Sequence, residues 1–431
     1  MTDDVPDALH ALRHKNEHAL QQLSFRIAGL LPHQEFGVRT IISRFRNRAV
    51  LADEMGLGKT LTSLQWAREI CSSGSRLLVL CPAALRKQWR GALERWLGAW
   101  GSRARIISWD ALHAQGLSGR AAAAAFECCI GDEAHFIKDA TSRRAKAALP
   151  VLQWVPKVLL LTGTPAPNRP IELWPLLHAL RPHAMLSFRA FAERYCGGRD
   201  TRFGFVARGA TRRGELAEWL DRGFMLRRTQ ADVGLGLPPL HQHVLKVRLP
   251  DAECVRLHEL EEALEDAAAE QKMTLISRLF AETARAKRSA AAKAMLQERR
   301  DDAPLVVFCH HRCMSDHLRA EAEKAGLRVG VLDGRASQAR KHAVAKLVEN
   351  FDVDVALLSF VAASVGFNLT RANRVLFAEL YWVPAVLDQA QARVWRLGQT
   401  CAVHVTRLVA KGTCDERVLK CLHCKRRTCV Y

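Results

Sequence analysis

The sequence has no long hydrophobic run: no apolar stretch reaches the roughly 18 uninterrupted residues that a membrane-spanning helix needs. Its first ten residues, MTDDVPDALH, are acidic and lack the apolar core of a secretory signal. The 13 cysteines are odd in number and scattered, so nothing suggests a disulfide framework. These absences predict a cytoplasmic protein with reduced thiols and no membrane partner.

Acidic residues are also few compared with basic ones. Asp and Glu number 44 against 64 Lys and Arg, which leaves a net charge of +20. So basic a chain favours a polyanionic partner, most often nucleic acid, although an inert basic surface would give the same balance. With 431 residues, 49% of them hydrophobic, the chain is long enough for two or more packed domains.

Short apolar runs alternate with amphipathic stretches along most of the chain. RAVLADE, RLLVLCP, ARIISW, FECCIGDEAH and KVLLLTGTP are strand-like and are separated by helical patterns, and PLVVFCHHR, RVGVLDG, VDVALLSF, RVLFAEL and AVHVTRLVA form a second such series. This alternation predicts an α/β fold with two parallel sheets covered by helices. Residues 251–300 contain neither Gly nor Pro and are predicted to be helical.

The predicted organisation has four parts. Residues 1–30 form a short N-terminal helical extension, and residues 31–243 form a first lobe with a helical insertion at about 171–230. Residues 244–300 form a helical linker, and residues 301–431 form a second lobe.

The stretch LADEMGLGKT, positions 51–60, is a candidate phosphate-binding loop between a strand and a helix. It departs from the strict P-loop pattern, because Asp53 stands where the first glycine is expected. Glycines allow the backbone N–H groups to turn toward a phosphate, a lysine contacts the β- and γ-phosphates, and a threonine hydroxyl binds Mg²⁺. The predicted ATP-binding residues are Asp53, Glu54, Met55, Gly56, Leu57, Gly58, Lys59 and Thr60.

The run CCIGDEAH places two carboxylates at the end of a predicted strand. Asp132 is a candidate Mg²⁺ ligand together with Thr60, and Glu133 is a candidate general base that polarises the attacking water. With Ala134 and His135 they form a DEAH box. An isolated Asp-Glu pair is usually a solvated turn, but this pair follows a Gly-Lys-Thr loop.

The third candidate element is QAQARVWRLGQ, positions 389–399. Arg393 and Arg396 are three residues apart, so on a helix they share one face. Such a pair can stabilise the γ-phosphate as arginine fingers, although surface arginines are common.

Six motifs, taken in order, resemble those of the superfamily 2 helicase-like ATPases, and within them the SWI/SNF-type DNA translocases. These are DEMGLGKT, DEAH, LTGTPAPN, MLRRTQADVGLGLP, NLTRANRVLFAELYW and QAQARVWRLGQ. The stretches FRAFAERYC and FAELYWVPAVLDQAQARVWRLGQT are most similar to the annealing-helicase, HepA-related branch.

The resemblance implies two RecA-like lobes with an ATP cleft between them, and ATP and Mg²⁺ as cofactors. It implies a DNA-dependent ATPase that moves on duplex or forked DNA without sequence preference, in an annealing or fork-remodelling role of the DNA-repair type. Such motors are usually monomeric, and this one is expected to use a protein partner for targeting. In a bacterium it would be associated with the nucleoid.

The resemblance also assigns further residues. Gln34 is similar to the adenine-reading glutamine, and Thr162 and Thr164 to the motif that couples hydrolysis to DNA. Gly366 is similar to the glycine of motif V, and Gln399 closes motif VI. The segment SFVAASVGFNL is looser than the usual motif V, which puts coupling efficiency in doubt.

Two alternative functions stay open. The DEAH letters also suit an RNA-dependent ATPase or helicase, and the loose motif V suits an ATP-switched nucleic-acid clamp without robust turnover. Two other patterns are interpreted as structural. His310 and His311 are interpreted as loop or core residues. The tail cysteines Cys421, Cys424 and Cys429 are not interpreted as a zinc site, since Cys421 and Cys424 also fit a helix face.

Overall fold

The computed structural model describes residues 29–71, 75–114, 119–202, 204–333, 338–360 and 368–428. They belong to two compact units, the first ending at Gly234 and the second spanning Leu235–Arg427. No helix within these ranges is long and apolar enough to cross a membrane. Most of the predicted N-terminal extension lies outside the described residues.

A parallel six-stranded sheet forms the centre of the first unit, as the alternating pattern predicts. Its strands lie in the order β3-β2-β4-β5-β1-β8. Their bounds are β1 Arg48–Leu51, β2 Leu77–Cys81, β3 Arg105–Ser108, β4 Cys128–Asp132, β5 Lys157–Leu161 and β8 Met225–Leu226.

Helices cover both faces of this sheet. Successive strand residues point to opposite faces, so Cys128 and Ile130 pack in one core while Cys129 packs in the other. The helices are α1 Pro32–Ser43, α2 Lys59–Ile70, α3 Arg86–Ser102, α4 Ala111–Ala114, α5 Gly119–Ala123, α6 Arg143–Trp154, α7 Trp174–Leu180, α8 Phe188–Cys196, α9 Arg213–Gly223 and α10 Gln230–Val233.

Arg48, the first residue of β1, joins the ends of two helices. Its guanidinium donates to the carbonyls of Leu152 and Val155 at the end of α6, and to those of Ala179 and Leu180 at the end of α7. These carbonyls have no partner within their own helix, so one side chain satisfies both termini. Burial lowers the pKa of Arg48 to about 10.

The predicted insertion at about 171–230 contains α7, α8 and α9. It also contains an antiparallel hairpin, β6 Arg199–Thr201 with β7 Gly204–Val206, and the short strand β8. Aromatic rings hold this region together: Tyr195 stacks on Trp219, and Trp219 meets Phe224 edge-on.

The second unit is built on another parallel six-stranded sheet, in the order β11-β12-β10-β13-β14-β9. Its strands are β9 Leu240–Val247, β10 Leu305–Cys309, β11 Val329–Leu332, β12 Val355–Ser359, β13 Arg374–Phe377 and β14 Val403–Ala410. Its helices are α11 Asp251–Asp266, α12 Ala269–Glu298, α13 Arg312–Lys324, α14 Gln338–Glu349, α15 Pro384–Gln391 and α16 Cys414–Thr428. The prediction of two parallel sheets is therefore confirmed.

The boundary that the sequence suggested after residue 243 falls inside β9. This strand pairs with β14 over its whole length and so belongs to the second sheet. Its outward residues are polar and exposed, which hides the strand from a search for apolar runs. The helical segment predicted for 244–300 begins at Asp251, and α12 packs on the second sheet through Ala291 and Met295.

Candidate functional site

Four loops of the first unit leave the sheet at the carboxyl ends of neighbouring strands β4, β5, β1 and β8. In an open parallel sheet ligands bind at this edge. The loops contain the Gly-Lys-Thr segment after β1, the Asp-Glu pair after β4, Thr162 to Thr164 after β5, and Arg227 and Arg228 after β8. The sequence therefore places most of its candidate residues along one edge.

The loop after β1 has the backbone that a phosphate cradle requires. Gly56 and Gly58 adopt positive φ angles of 88° and 76°, which glycine reaches without strain. Gly58 caps helix α2, whose first residues are Lys59 and Thr60. The N–H groups of this first turn have no partner in the helix, and the helix dipole favours an anion there.

Lys59 lies against the loop that precedes it. Its ammonium donates to the carbonyl of Asp53 at 2.7 Å and to that of Glu54 at 3.2 Å. Burial lowers the pKa of Lys59, while the carboxylates of Glu133, Asp53 and Asp132 oppose that shift. The lysine and the two carboxylates of the DEAH box therefore share one electrostatic environment.

The unexpected Asp53 has a structural explanation. It is fully buried, and Arg228 donates to both of its oxygens, with Nε at 3.0 Å from Oδ1. Arg228 also donates to the carbonyl of His33. A glycine at position 53 would leave this guanidinium buried without its carboxylate, so Asp53 anchors the loop to the segment after β8.

The next two loop residues are held by Gln230. Its backbone N–H donates to the Glu54 carboxylate at 2.7 Å, and its side-chain amide donates to the Met55 carbonyl at 2.8 Å. The side chains of Asp53 and Glu54 thus attach the loop to the segment that follows β8. Leu57 is fully buried and anchors its other end.

Gln34, the candidate adenine reader, packs directly on the loop. Its Oε1 accepts from the Leu31 N–H at 3.0 Å, and its Nε2 lies 3.4 Å from the Leu57 carbonyl. A Cβ at Gly58 would stand 2.2 Å from Gln34 Nε2, so a side chain at position 58 would displace this amide. An amide has two donor hydrogens and two acceptor lone pairs, so Gln34 retains capacity for a further partner.

Asp132 ends strand β4, and Glu133 follows in the left-handed region with φ 51°. The indole N–H of Trp89 donates to Asp132 Oδ2 at 2.8 Å, and that of Trp109 donates to the Asp132 carbonyl at 2.8 Å. Burial and the neighbouring Glu133 raise the pKa of Asp132 from 3.8 to about 6. A carboxyl whose pKa is raised by burial and by an adjacent carboxylate is typical of functional sites.

His135 connects the DEAH box to the next loop. Its Nδ1 lies 3.2 Å from a Glu133 oxygen and 3.4 Å from the hydroxyl of Thr162. That hydroxyl accepts from the Thr164 N–H at 3.1 Å. Between the threonines, a Cβ at Gly163 would meet Met55 at 2.9 Å and Lys59 Nζ at 3.6 Å. Thr162, Thr164 and Lys59 are therefore close together.

In the second unit the arginine segment is not helical, and the prediction of a shared helix face was wrong. Helix α15 ends at Gln391, and Arg393 and Arg396 lie in the turns that follow. Both Val394 and Trp395 donate their N–H to the Gln391 carbonyl at 3.0 Å, which tightens the chain into turns. The i, i+3 spacing gave no sign of this helix end. Burial lowers the pKa of Arg396.

Gln399 is buried and holds this turn in place. Its amide donates to the carbonyls of Ala372 and Val394, and its oxygen accepts from the N–H groups of Thr400 and Cys401 at 2.9 Å. Its side chain braces the segment that carries the two arginines. The motif V glycine, Gly366, lies outside the described residues.

His310 and His311, which follow strand β10, contact a carboxylate. Glu379 accepts from the N–H groups of His310 and His311 and lies 2.5 Å from His311 Nδ1. Within the described ranges, no group of three or more His, Cys, Asp or Glu residues is arranged to hold a metal ion. Cys421 and Cys424 lie on α16, and Cys429 lies outside the described residues.

Sequence reasoning gave no individual role to several residues that shape the site. Arg228 and Gln230 lie in the MLRRTQ motif, where a run of polar residues directly after a buried strand was the available signal. Trp89 was hidden in an amphipathic helix, although a buried tryptophan needs an acceptor for its N–H.

The residues present fit ATP and Mg²⁺. A Cβ at Gly58 would displace Gln34, a helix N-terminus follows the loop, and the carboxylates of Asp132 and Glu133 interact with Lys59. A hydroxyl and a carboxylate are oxygen ligands of the kind that Mg²⁺ takes in nucleotide sites. Thr60 and Asp132 are the side chains that would hold it.

Two family models match this chain. The model of the SNF2-related domain matches residues 33–110 and 111–301, and that of the helicase conserved C-terminal domain matches residues 286–398. Two solved forms of the Sulfolobus solfataricus SWI2/SNF2 ATPase core are also similar; the one in complex with dsDNA is 23% identical, with a TM-score of 0.44 over 94% of each chain.

Curated relatives match over nearly all of this chain. The Xenopus tropicalis SWI/SNF-related matrix-associated actin-dependent regulator of chromatin subfamily A-like protein 1 is 34% identical over 90% of this chain and 43% of its own length. The mouse DNA annealing helicase and endonuclease ZRANB3 is 34% identical over 90% of this chain and 39% of its own. The chain thus spans about two fifths of the length of these two relatives.

The SNF2-related model covers more than half of the chain, and its matched segments contain the glycine-lysine loop, the DEAH box and the arginine pair after β8. The resemblance noted from the motifs is therefore confirmed, and the chain belongs to the SNF2-related family.

Proposed function

We propose that the protein is an ATP-driven translocase that acts on duplex or forked DNA. The observation that carries this proposal is the convergence of Lys59, Asp132, Glu133 and Thr162 at the carboxyl edge of one parallel sheet. Around them lies the cradle built by Gly56 and Gly58.

In this proposal each side chain has a defined task. Lys59 and the N–H groups of the α2 N-terminus bind the β- and γ-phosphates of ATP, and Gln34 recognises the adenine. Thr60 and Asp132 hold Mg²⁺, which when bound neutralises charge on the phosphates. Glu133 accepts a proton from the attacking water. Its contact with His135 helps to orient the Glu133 carboxylate.

The second unit contributes Arg393 and Arg396, which we propose stabilise charge on the transferred phosphate, with Gln399 as their positioning residue. Thr162 and Thr164 couple hydrolysis to movement on DNA. The net charge of +20 supports a nucleic acid partner held through its phosphates. Such binding is largely independent of sequence and weakens with salt.

The relatives named as annealing helicases support a remodelling or annealing role of the DNA-repair type. We propose that this chain acts as a monomeric motor and that a separate protein directs it to its substrate. Its proposed location is with DNA in the cytoplasm or nucleoid.

The test is the steady-state ATPase rate without nucleic acid and with single-stranded DNA, duplex DNA, forked DNA or RNA, at moderate salt. We expect duplex or forked DNA to stimulate turnover at least tenfold. A preference for forks would favour remodelling over simple translocation.

Two results would contradict the proposal. Stimulation by RNA alone would indicate an RNA-dependent ATPase. DNA binding with no turnover under any condition would indicate an ATP-switched clamp. An Arg396→Ala protein measured in parallel should lose turnover while its ATP affinity stays within a few-fold of wild type.

A further inference from the structure

Two thiols of the first unit lie almost in bonding contact. The sulfur of Cys71 is 2.7 Å from that of Cys128, although the residues are 57 positions apart in sequence. Cys71 directly follows helix α2, and Cys128 is the first residue of strand β4. A disulfide bond is about 2.0 Å long, so the two sulfurs need to approach by only about 0.7 Å.

The surroundings hold these two elements in register. Lys157 donates to the carbonyl of Ile70 at 2.5 Å and to the carboxylate of Glu127 at 2.6 Å. Ile70 precedes Cys71 and Glu127 precedes Cys128, so one ammonium group links the residues beside both thiols. The proximity of the sulfurs thus follows from a fixed contact between α2 and β4.

The two thiols differ in access. Cys128 is fully buried, whereas Cys71 is partly exposed at the end of its helix. The neighbouring Cys129 points to the opposite face of the sheet, into the other core. A reagent from solvent therefore reaches Cys71 first, and Cys128 is the thiol placed to react with it next.

We propose that Cys71 and Cys128 form a reversible oxidation site in the ATP-binding unit. A hydroperoxide oxidises the Cys71 thiol to a sulfenic acid and is itself reduced to an alcohol or to water. The Cys128 sulfur then attacks the Cys71 sulfur, an S–S bond forms, and the sulfenic oxygen leaves as water with the thiol proton. A dithiol reverses the step by exchange.

The bond would join the end of the helix that begins at Lys59 to the start of the strand that ends at Asp132. Because it closes a long loop, it reduces the conformational freedom of the unfolded chain. The sulfurs move little, so the site at the opposite ends of α2 and β4 should keep its geometry. We expect oxidation to raise the Tm of the first unit by roughly 5 °C or more.

The experiment uses the full chain, treated with graded hydrogen peroxide, alkylated under denaturing conditions and digested with trypsin. Cleavage after Arg68, Arg76, Arg120 and Lys138 gives peptides 69–76 and 121–138, which we expect to find linked to each other and separated by dithiothreitol. Peptide 121–138 contains both Cys128 and Cys129. The Cys129→Ser variant therefore serves as the control that should still form the link.

Cys71→Ser and Cys128→Ser should each abolish both the linked peptide and the peroxide-induced rise in Tm. Cys71 is the better variant, since it is partly exposed and its serine substitution perturbs the core least. Absence of the linked peptide in wild type, or its persistence in Cys71→Ser, would overturn the proposal. ATP turnover does not enter this measurement, so its result is independent of the proposed function.

Discussion

The two units are built on the same kind of parallel sheet, yet their carboxyl edges carry different chemistry. The first edge has two glycines with positive φ, a lysine whose pKa is lowered, and two carboxylates, of which Asp132 has a raised pKa. In the second unit Glu379 is held by His310 and His311, and Lys287 pairs with Asp415 at 2.7 Å. Both pairs line one small cavity.

Charged pairs have different roles in the two units. In the first unit the charges of Asp53 and Arg228 hold the proposed phosphate-binding loop. In the second unit the Lys287–Asp415 pair joins α12 to α16, and the His311–Glu379 pair joins the segments that follow β10 and β13. Substitutions in the first set should therefore change nucleotide binding or turnover, with or without a loss of stability, and those in the second set should change stability alone.

The largest expected effect is on Lys59. Lys59→Ala removes the cation proposed to contact the phosphates and should lower ATP turnover by at least a factor of about 100. Steady-state phosphate release measures it, with Lys87→Ala as the control because Lys87 is an exposed lysine on α3. Turnover near wild type in Lys59→Ala would mean that the site lies elsewhere.

Glu133→Gln separates binding from hydrolysis. The amide keeps the size of the side chain but cannot accept the proton, so turnover should fall by roughly 100-fold or more while ATP affinity is retained. Fluorescent nucleotide binding and phosphate release give the two quantities. Glu94→Gln, an exposed change on α3, should leave both unchanged; a loss of ATP affinity in Glu133→Gln would contradict the assigned role.

In the second unit, Lys287→Met should act on stability. It leaves Asp415 buried without its cation, at a cost of about 3–5 kcal/mol in the free energy of unfolding. Urea unfolding measures this loss. Lys293→Met, on an exposed position of the same helix, should cost less than about 0.5 kcal/mol. Equal effects of the two variants would show that the buried pair is unimportant.

Asp53→Asn tests the anchor of the phosphate loop. It removes the charge that Arg228 contacts, so we expect a loss of about 2–4 kcal/mol together with weaker ATP binding. Asp110→Asn breaks an exposed pair with Arg144 and should cost less than about 1 kcal/mol. Unchanged ATP affinity in Asp53→Asn would show that the anchor does not position the loop.

The smallest effect concerns pH. Because the folded protein raises the pKa of Asp132 to about 6, it binds more protons than the unfolded chain between about pH 4 and pH 6. The contribution of Asp132 to stability therefore falls as pH rises through this window. Urea unfolding at several pH values should show this slope in wild type and a flatter one in Asp132→Asn. If wild type and Asp132→Asn show the same dependence of unfolding free energy on pH, a group other than Asp132 binds the proton in this range.

Apolar runs were sufficient to locate ten of the twelve strands in the two large sheets, because a parallel sheet is buried on both faces. β8 has only two residues, and β9 is an exposed edge strand rich in His and Gln, so neither gives that signal. Arg393 and Arg396 were expected to share a face on a helix, but helix α15 ends at Gln391. Residue spacing alone does not show where a helix ends.

The site was predicted residue by residue only where a motif names the residue. In the sequence Asp53 is only a departure from the P-loop pattern. In the fold its carboxylate accepts from Arg228, which lies 175 positions later. A long-range pair of this kind cannot be inferred from local spacing. The sequence predicted which residues gather at the edge, and the fold shows what holds them there.

The contact between Gly58 and Gln34 has a consequence for nucleotide selectivity. Any side chain at position 58 must push Gln34 away, since a Cβ there would stand 2.2 Å from its amide nitrogen. With Gln34 as the proposed adenine reader, a change in the phosphate loop would blur discrimination between ATP and GTP. If the proposed ATP site is correct, this contact would couple affinity for the triphosphate to the choice of base.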